Sequence, residues 1–190
     1  MALALKVIIG STRPGRRGPI VARWVADVAR EHGAFDVEVV DLAEIALPLL
    51  DEPAHPARKE YEHAHTKLWS AKADAADAFV FVNPEYDYFV PATVVNAVQA
   101  LLQEWTYKVA GVVGYGGLSG GLRSAQELRG LLSNVGVMPL PATVALPFFW
   151  DHIAEDGTFD PGEKALGSLQ GQLDELAKWA GALQPLHSGA

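Results

Sequence analysis

The stretch ALALKVIIGSTRPGRRG, Ala2–Gly18, joins a nearly continuous apolar run to a loop that holds three arginines within five residues. An apolar run of this kind is typical of a strand buried on both faces of a parallel sheet. The residues from Gly18 to His32 then place apolar side chains on one helical stripe. The stretch is therefore predicted to form a strand, a positively charged turn and the N-terminus of a helix.

Apolar and amphipathic segments keep alternating along the rest of the chain. Four further strands are predicted in FDVEVVDL, AFVFVN, KVAGVVGYG and VMPLPATVAL, with helices at about Glu60 to Ala75 and at Thr93 to Trp105 among those between them. Five strand–helix units predict a parallel sheet with helices on both faces, and right-handed crossovers favour the flavodoxin-like strand order 2-1-3-4-5. We expect one three-layer α/β domain at residues 1–183 and a flexible C-terminal tail at residues 184–190.

The composition excludes several classes of protein. A formal net charge of -8 argues against a general nucleic-acid binder, because affinity for a phosphate backbone needs broad positive surfaces. The chain has no cysteine, which removes disulfides and thiolate catalysis, and its histidines lack the spacing of metal ligands. No apolar run approaches the ~18 residues of a membrane span. We expect a soluble, cytoplasmic protein that binds no metal, nucleic acid or membrane.

Ligands of such sheets bind beyond the carboxyl ends of the strands, near the point where the strand order reverses. For the order 2-1-3-4-5, the loops at that point are GSTRPGRRG, NPEYDYFVPA and GYGGLSGG. Hydroxyl, guanidinium and amide groups at the start of a helix make the first loop a candidate phosphate site. Its candidate donors are the side chains of Ser11, Thr12, Arg13, Arg16 and Arg17 and the N–H groups near Gly18 and Ile20.

The second and third loops predict a site for a flat ring. Pro84 and Pro91 restrict the backbone of the second loop, which also contains Tyr86, Tyr88 and Phe89. The last two aromatic residues are equally compatible with packing in the core or at a subunit contact. Glycines in the third loop allow its backbone to approach a ligand closely. They do not spell G-x-G-x-x-G, so a dinucleotide-binding fingerprint is rejected.

The third loop also raises an alternative. Its segment Gly117–Gly121, GLSGG, matches the G-x-S-x-G motif between a predicted strand and a predicted helix, with aspartates and histidines downstream. A serine esterase that uses Ser119 is therefore possible on this pattern. Against it, the chain has no HGGG-type oxyanion segment, and hydrolysis leaves the arginine-rich loop without a role.

Taken together, GSTRPGRRG, PEYDYFVPATVVNAV and GYGGLSGGLRSAQELR resemble the NADPH-dependent FMN reductase family of flavodoxin-like flavoproteins, over roughly Leu5 to Leu183. The resemblance implies three groups of FMN-binding residues. Those around the phosphate would be Ser11, Arg13, Arg16 or Arg17, Gly18 and Ile20. Those along the isoalloxazine and ribityl chain would be Asn83, Pro84, Glu85 and Tyr86. Those that approach the pyrimidine side of the ring through backbone amides would be Tyr115, Gly116, Gly117 and Gly120.

The resemblance also implies the reaction and the assembly. NADPH or NADH would donate a hydride to FMN, and electrons would pass to a small-molecule acceptor such as a quinone, an azo dye, a metal ion or free flavin. Because the flavin carries this chemistry, no catalytic side chain is expected. A homodimer or homotetramer is implied, and an apolar helix would suit the interface through Val94, Val95, Val98, Leu101 and Leu102. A flavodoxin-like electron-transfer module without turnover of its own is a further alternative.

Overall fold

The computed structural model describes residues 2–187. Within this range the strands are β1 (Leu3–Ile9), β2 (Phe35–Asp41), β3 (Ala78–Pro84), β4 (Val109–Gly116) and β5 (Met138–Pro147). All of them pair in parallel, in the order β2-β1-β3-β4-β5. The α/β class, the parallel five-stranded sheet and the strand order predicted from the sequence are confirmed.

Helices cover both faces of this sheet. They are α1 (Gly18–His32), α2 (Leu42–Ile45), α3 (Ala64–Asp74), α4 (Ala92–Gln99), α5 (Leu122–Asn134) and α6 (Glu163–His187). Short 3₁₀ turns lie at Pro56–Arg58, Gln103–Trp105 and Phe149–His152. One core packs α1 and α6 on the sheet, and the other packs α3, α4 and α5 on the opposite face.

The strands divide their side chains between these two cores. Successive residues of a strand point to opposite faces, so Val7 of β1 packs beneath α1 and α6 while Ile8 packs on the other side. β3 is buried along its whole length. Because helices cover both faces of the sheet, a ligand can reach it at the loops that follow the carboxyl ends of the strands.

The start of α3 differs from the prediction because a distant carboxylate holds the preceding chain. Glu52 accepts hydrogen bonds from the backbone N–H groups of Glu62 (2.7 Å) and His63 (3.0 Å). His63 is extended as a result, and the helix begins at Ala64.

The end of α4 also differs from the prediction. The helix stops at Gln99, and the carbonyls of Ala97 and Val98 accept hydrogen bonds from the indole N–H groups of Trp69 (2.8 Å) and Trp105 (3.0 Å). These bonds satisfy carbonyl groups that a helix end leaves free. The helix can therefore end several residues before Trp105.

The residues expected to form a subunit interface lie mainly inside the chain's own core. Val94, Val98 and Leu101 are each at most 1 % exposed. Val95 and Leu102 are partly buried against the same core. Because this packing already accounts for their apolar character, these residues do not support an interface at α4, and the expectation is corrected in that respect.

The last helix extends beyond the expected end of the domain. α6 continues through His187, so residues 184–187 are helical. The ring of His187 also contacts the carbonyl of Tyr107 at 2.5 Å. The remainder of the expected tail, residues 188–190, lies outside the described residues. Among the helices of residues 2–187, none is both long and apolar enough to cross a membrane.

Candidate functional site

The arginine-rich loop makes a tight turn immediately before α1. The N–H of Arg16 donates to the carbonyl of Arg13 at 3.1 Å, and Gly15 has a φ of 70°. Proline followed by a residue with positive φ is typical of a type II turn, which accounts for Pro14 and Gly15. Arg17 then precedes α1 without a side-chain cap on the helix. The loop thus delivers basic side chains to an uncapped helix N-terminus, which is favourable for an anion.

Two buried hydroxyl groups lie against the first residue of α1. A Cβ atom on Gly18 would overlap Ser11 Oγ and would lie 2.6 Å from Tyr115 Oη, so a larger residue here would displace both hydroxyls. Ser11 and Tyr115 are 1 % and 4 % exposed, and neither hydroxyl makes a hydrogen bond within residues 2–187. Burial raises the pKa of the Tyr115 phenol. Both hydroxyls are protonated at neutral pH, so this cradle fits the oxygen atoms of a phosphate.

The arginines of the loop have different roles. Arg16 donates to both carboxylate oxygens of Asp41, from Nη1 to Oδ1 at 2.5 Å and from Nη2 to Oδ2 at 2.6 Å, and to the carbonyl of Ser11 at 2.7 Å. The hydrogen bonds to Asp41 raise the pKa of Arg16, against the opposite effect of burial. Arg13 and Arg17 are exposed. Arg16 therefore holds the loop in place, and the other two arginines are available to an anion.

A pocket of about 400 Å³ opens beside this turn. It lies at the carboxyl ends of β3, β4 and β5. Its lining comprises Arg13, Gly15, Arg16, Arg17, Pro84, Glu85, Tyr86, Tyr115, Gly116, Gly117, Phe149 and Trp150. The structure thus brings together most of the residues expected to bind the cofactor, and basic side chains, aromatic rings and glycine backbone line the same pocket.

Five of the expected residues do not line this pocket. Ser11 and Gly18 form the cradle described above with Tyr115, which does line the pocket. The N–H of Ile20 donates to the carbonyl of Arg17 at 3.0 Å. Asn83 is fully buried, with its amide packed over Gly10.

Gly120 is the fifth of these residues, and its place in the fold is structural. It has a φ of 58°, and a Cβ atom there would lie 2.7 Å from the backbone nitrogen of Pro147. Its carbonyl accepts a hydrogen bond from the N–H of Leu146 at 3.2 Å. Gly120 therefore packs the turn after β4 against the end of β5, away from the pocket.

The pocket also has a wall that the sequence interpretation missed. Phe149 and Trp150 follow β5, and their ring centroids are 5.5 Å apart in an edge-to-face arrangement. Phe149 packs on Tyr115 with 4.8 Å between centroids, and the edge of Trp150 lies over Gly117. β5 adjoins β4, so its carboxyl end lies at the same edge of the sheet. The aromatic run FFW directly after VALP was the available signal.

Ser119 does not form the contacts of a hydrolase nucleophile. Its hydroxyl donates to Oε2 of Glu85 at 2.7 Å and accepts from the N–H of Gly121 at 3.4 Å. A catalytic triad needs an imidazole that accepts the serine proton. Here the serine hydroxyl donates its hydrogen bond to the carboxylate of Glu85 instead. The geometry therefore does not support the esterase alternative.

Comparison with known proteins assigns the family. Residues 4–151 match the family of NADPH-dependent FMN reductases. An NAD(P)H-dependent FMN reductase of Schizosaccharomyces pombe is 36 % identical over 177 residues, which cover 90 % of this chain and 88 % of the relative. A second such reductase, from Saccharomyces cerevisiae, is 36 % identical over 162 residues, which cover 73 % of this chain and 85 % of the relative.

The fold has solved counterparts as well. The structure of FerB, a flavoenzyme NAD(P)H:(acceptor) oxidoreductase from Paracoccus denitrificans, superposes with a TM-score of 0.73 at 21 % identity and covers 95 % of this chain and 98 % of the other. At that identity the likeness concerns the fold. The match of residues 4–151 and the identity to the two yeast reductases show that this chain belongs to the NADPH-dependent FMN reductase family.

Proposed function

We propose that this protein is an FMN-dependent NAD(P)H oxidoreductase that reduces a small-molecule acceptor, such as a quinone, an azo dye, a metal ion or free flavin. One observation carries the proposal beyond family membership. A cationic turn at the N-terminus of α1 and a ring-sized aromatic pocket share one edge of the sheet. FMN joins a phosphate to a flat ring, and it requires both features next to each other.

At the phosphate end, this chain supplies charge, hydroxyl groups and a helix N-terminus. Within residues 2–187 the side chains of Arg13 and Arg17 make no hydrogen bond or ion pair, and the guanidinium of Arg13 lies 5.8 Å from the ring centroid of Tyr86, so both can form charge-assisted hydrogen bonds. Ser11 and Tyr115 place two buried hydroxyls at the first turn of α1. Arg16 anchors the loop to the end of β2 by donating two hydrogen bonds to Asp41. A dianionic phosphate would therefore meet two buried hydroxyls that the fold already holds in position and two exposed arginines that can turn toward it.

At the ring end, the pocket offers backbone and aromatic surface. The segment Pro84–Tyr86 lies on one side, the segment Gly116–Gly117 on another, and Phe149 and Trp150 form a wall. The volume of about 400 Å³ lies within the range of small-molecule sites. Bound FMN supplies the hydride acceptance and electron release, while these residues bind and orient the ring.

The assembly and the location of the protein remain proposals. Several exposed apolar side chains belong to the loops that line the pocket, namely Tyr88, Phe89, Leu118, Phe148 and Trp150. Such a concentration favours a contact surface, and it supports a homodimer or homotetramer better than α4 does. Light scattering at micromolar concentration tests this, and a stable monomer would contradict it. We also propose a cytoplasmic location, which fractionation of the source cells tests.

The experiment that tests the function is reconstitution followed by turnover. We expect one FMN per chain, a visible flavin spectrum, and steady NADPH or NADH oxidation with a quinone or ferricyanide as acceptor. A panel of acceptors under controlled oxygen then ranks the substrates. A protein that binds FMN and is reduced once without turnover would be an electron carrier. A protein that loses all colour on gentle, low-salt dialysis would contradict the proposal.

A further inference from the structure

The carboxylate of Glu85 makes contacts that the expected cofactor set does not explain. It accepts hydrogen bonds from the Ser119 hydroxyl (2.7 Å), from the N–H of Arg123 (3.1 Å) and from Arg123 Nη1 (2.9 Å). All of these donors come from the segment after β4, and the Glu85 side chain is only 8 % exposed. We refer to these three residues as the Glu85 cluster. Its carboxylate faces the neighbouring loop, and these contacts leave it little capacity for a ligand.

The backbone on both sides of this cluster lines the pocket. The N–H of Glu85 donates to the carbonyl of Tyr115 at 3.2 Å, which extends the pairing of β3 and β4 to the pocket. Pro84 and Tyr86 contribute to the lining from one loop, and Gly116 and Gly117 from the other. The side chain of Glu85 therefore joins the two loops whose main chains surround the ring end of the pocket.

Arg123 extends the connection to a strained turn. Its guanidinium carbon lies 3.8 Å from the ring centroid of Tyr88. Asp87 and Tyr88 have φ values of 48° and 75°, a conformation that non-glycine residues rarely adopt. The N–H and carbonyl groups of Tyr86 and Phe89 pair across this turn at 3.1 and 2.9 Å. Arg123 thus contacts residues on both sides of Tyr86, whose ring lines the pocket.

The cluster is ionic. Burial raises the pKa of Glu85, but the hydrogen bonds from Ser119 and from the main chain and side chain of Arg123 outweigh it and hold the pKa below its ordinary value. Hydrogen bonds to charged groups are stronger than those between neutral groups. Replacing the carboxylate with an amide of the same shape should therefore loosen the contact between the two loops.

We propose that the Glu85 cluster positions the two loops around the flavin ring, and that its three members are positioning residues. The proposal rests on the proposed function. It gives the G-x-S-x-G motif a role: Ser119 donates to a structural carboxylate. It also separates contacts with the ring from contacts with the phosphate. Residues that position the ring should affect the binding of FMN and riboflavin alike. Residues that bind the phosphate should affect FMN alone, because riboflavin has no phosphate.

The direct test is the Glu85→Gln variant of the full chain, titrated with FMN and with riboflavin. We expect the dissociation constants of both flavins to rise by about tenfold, with their ratio unchanged, since charged hydrogen bonds at the ring end are weakened. The matched control is Glu127→Gln, which makes the same change at an exposed position of α5. Its dissociation constants should equal those of the wild type.

A second readout separates positioning from loss of stability. At saturating FMN, the visible circular dichroism of the bound flavin reports the surroundings of the ring. We expect it to change in Glu85→Gln and to remain unchanged in Glu127→Gln. If Glu85→Gln does not fold, Ser119→Ala decides, because it removes the hydroxyl that donates to Glu85 and accepts from the N–H of Gly121, and it should weaken both flavins by about threefold.

Three outcomes would overturn the inference. Unchanged dissociation constants and dichroism in the cluster variants would show that the loops do not depend on it. Weaker FMN binding with unchanged riboflavin binding would place the effect at the phosphate end. A wild type that binds neither flavin would remove the proposed function and this inference together, whereas wild-type binding with unresponsive variants would remove the inference alone.

Discussion

Arg16 and Asp41 form a two-pronged ion pair, with nitrogen–oxygen distances of 2.5 and 2.6 Å, that joins the arginine-rich turn to the end of β2. The same Asp41 accepts the N–H of Ala43 at 2.9 Å and so caps α2. The carboxylate of Asp41 therefore holds both the loop after β1 and the start of α2. Within the arginine-rich turn, Arg16 is therefore structural. The positive charge that remains for a ligand comes from Arg13 and Arg17.

Removing Asp41 should destabilise the fold. The two side chains are 12 % and 20 % exposed, so Asp41→Ala leaves Arg16 largely buried without its partner and α2 without its cap. We expect the free energy of unfolding to fall by about 2–4 kcal/mol, as measured by urea denaturation. Asp27→Ala, which breaks an exposed pair with Arg30, is the control and should cost about 0–1 kcal/mol. Equal losses in the two variants would show that Asp41 has no special role.

Lys108 should give the protein an unusual pH dependence. Its ammonium group donates to the carbonyls of Ala73 and Asp74 at the end of α3, at 2.7 and 2.8 Å, and burial lowers its pKa to about 8. Between that pH and about 10.4, the ordinary pKa of lysine, the unfolded chain binds more protons than the folded chain. Stability should therefore rise with pH across this window, by at most about 3 kcal/mol.

The difference between the wild type and Lys108→Met isolates this effect from the other groups that titrate. The free energy of unfolding of the wild type should rise relative to that of Lys108→Met as the pH increases from about 8 to 10. A difference that stays constant over this range would mean that Lys108 keeps an ordinary pKa in the folded chain.

Ser119 should not react as a nucleophile. Its hydroxyl donates to Glu85 at 2.7 Å, and within residues 2–187 no imidazole is hydrogen-bonded to it. We expect no labelling of the wild type by a fluorophosphonate probe and no hydrolysis of p-nitrophenyl esters above background. Labelling at Ser119 that disappears in Ser119→Ala, together with esterase activity, would support the hydrolase instead.

Much of the fold could be predicted from the sequence because burial on both faces leaves a continuous apolar pattern. β3 is the clearest case, since all of its residues are buried and its run AFVFVNP has few polar positions. The end of α4 could not be predicted in the same way. It depends on indole N–H groups from Trp69 and Trp105, and local periodicity does not report side chains that arrive from other elements.

The site shows the same division. The sequence indicated the loops, because their composition and the strand order point to one edge. It did not indicate the roles of individual side chains. Arg16 looks like its neighbours until Asp41, 25 residues away, takes both of its Nη groups. Glu85 looks like a ligand until Ser119 and Arg123 are seen to bind its carboxylate.

If the arginine-rich turn binds the phosphate of FMN, the protein should bind FMN more tightly than riboflavin, which lacks that phosphate. Fluorescence titration of the wild type should show a clear preference for FMN. Arg13→Ala removes a charge-assisted hydrogen bond of about 1.5–3 kcal/mol, so it should reduce that preference by about 10- to 150-fold and leave riboflavin binding unchanged. Arg30→Ala, the same change at the far end of α1, should preserve it. Equal binding of FMN and riboflavin by the wild type would show that the turn does not bind the FMN phosphate.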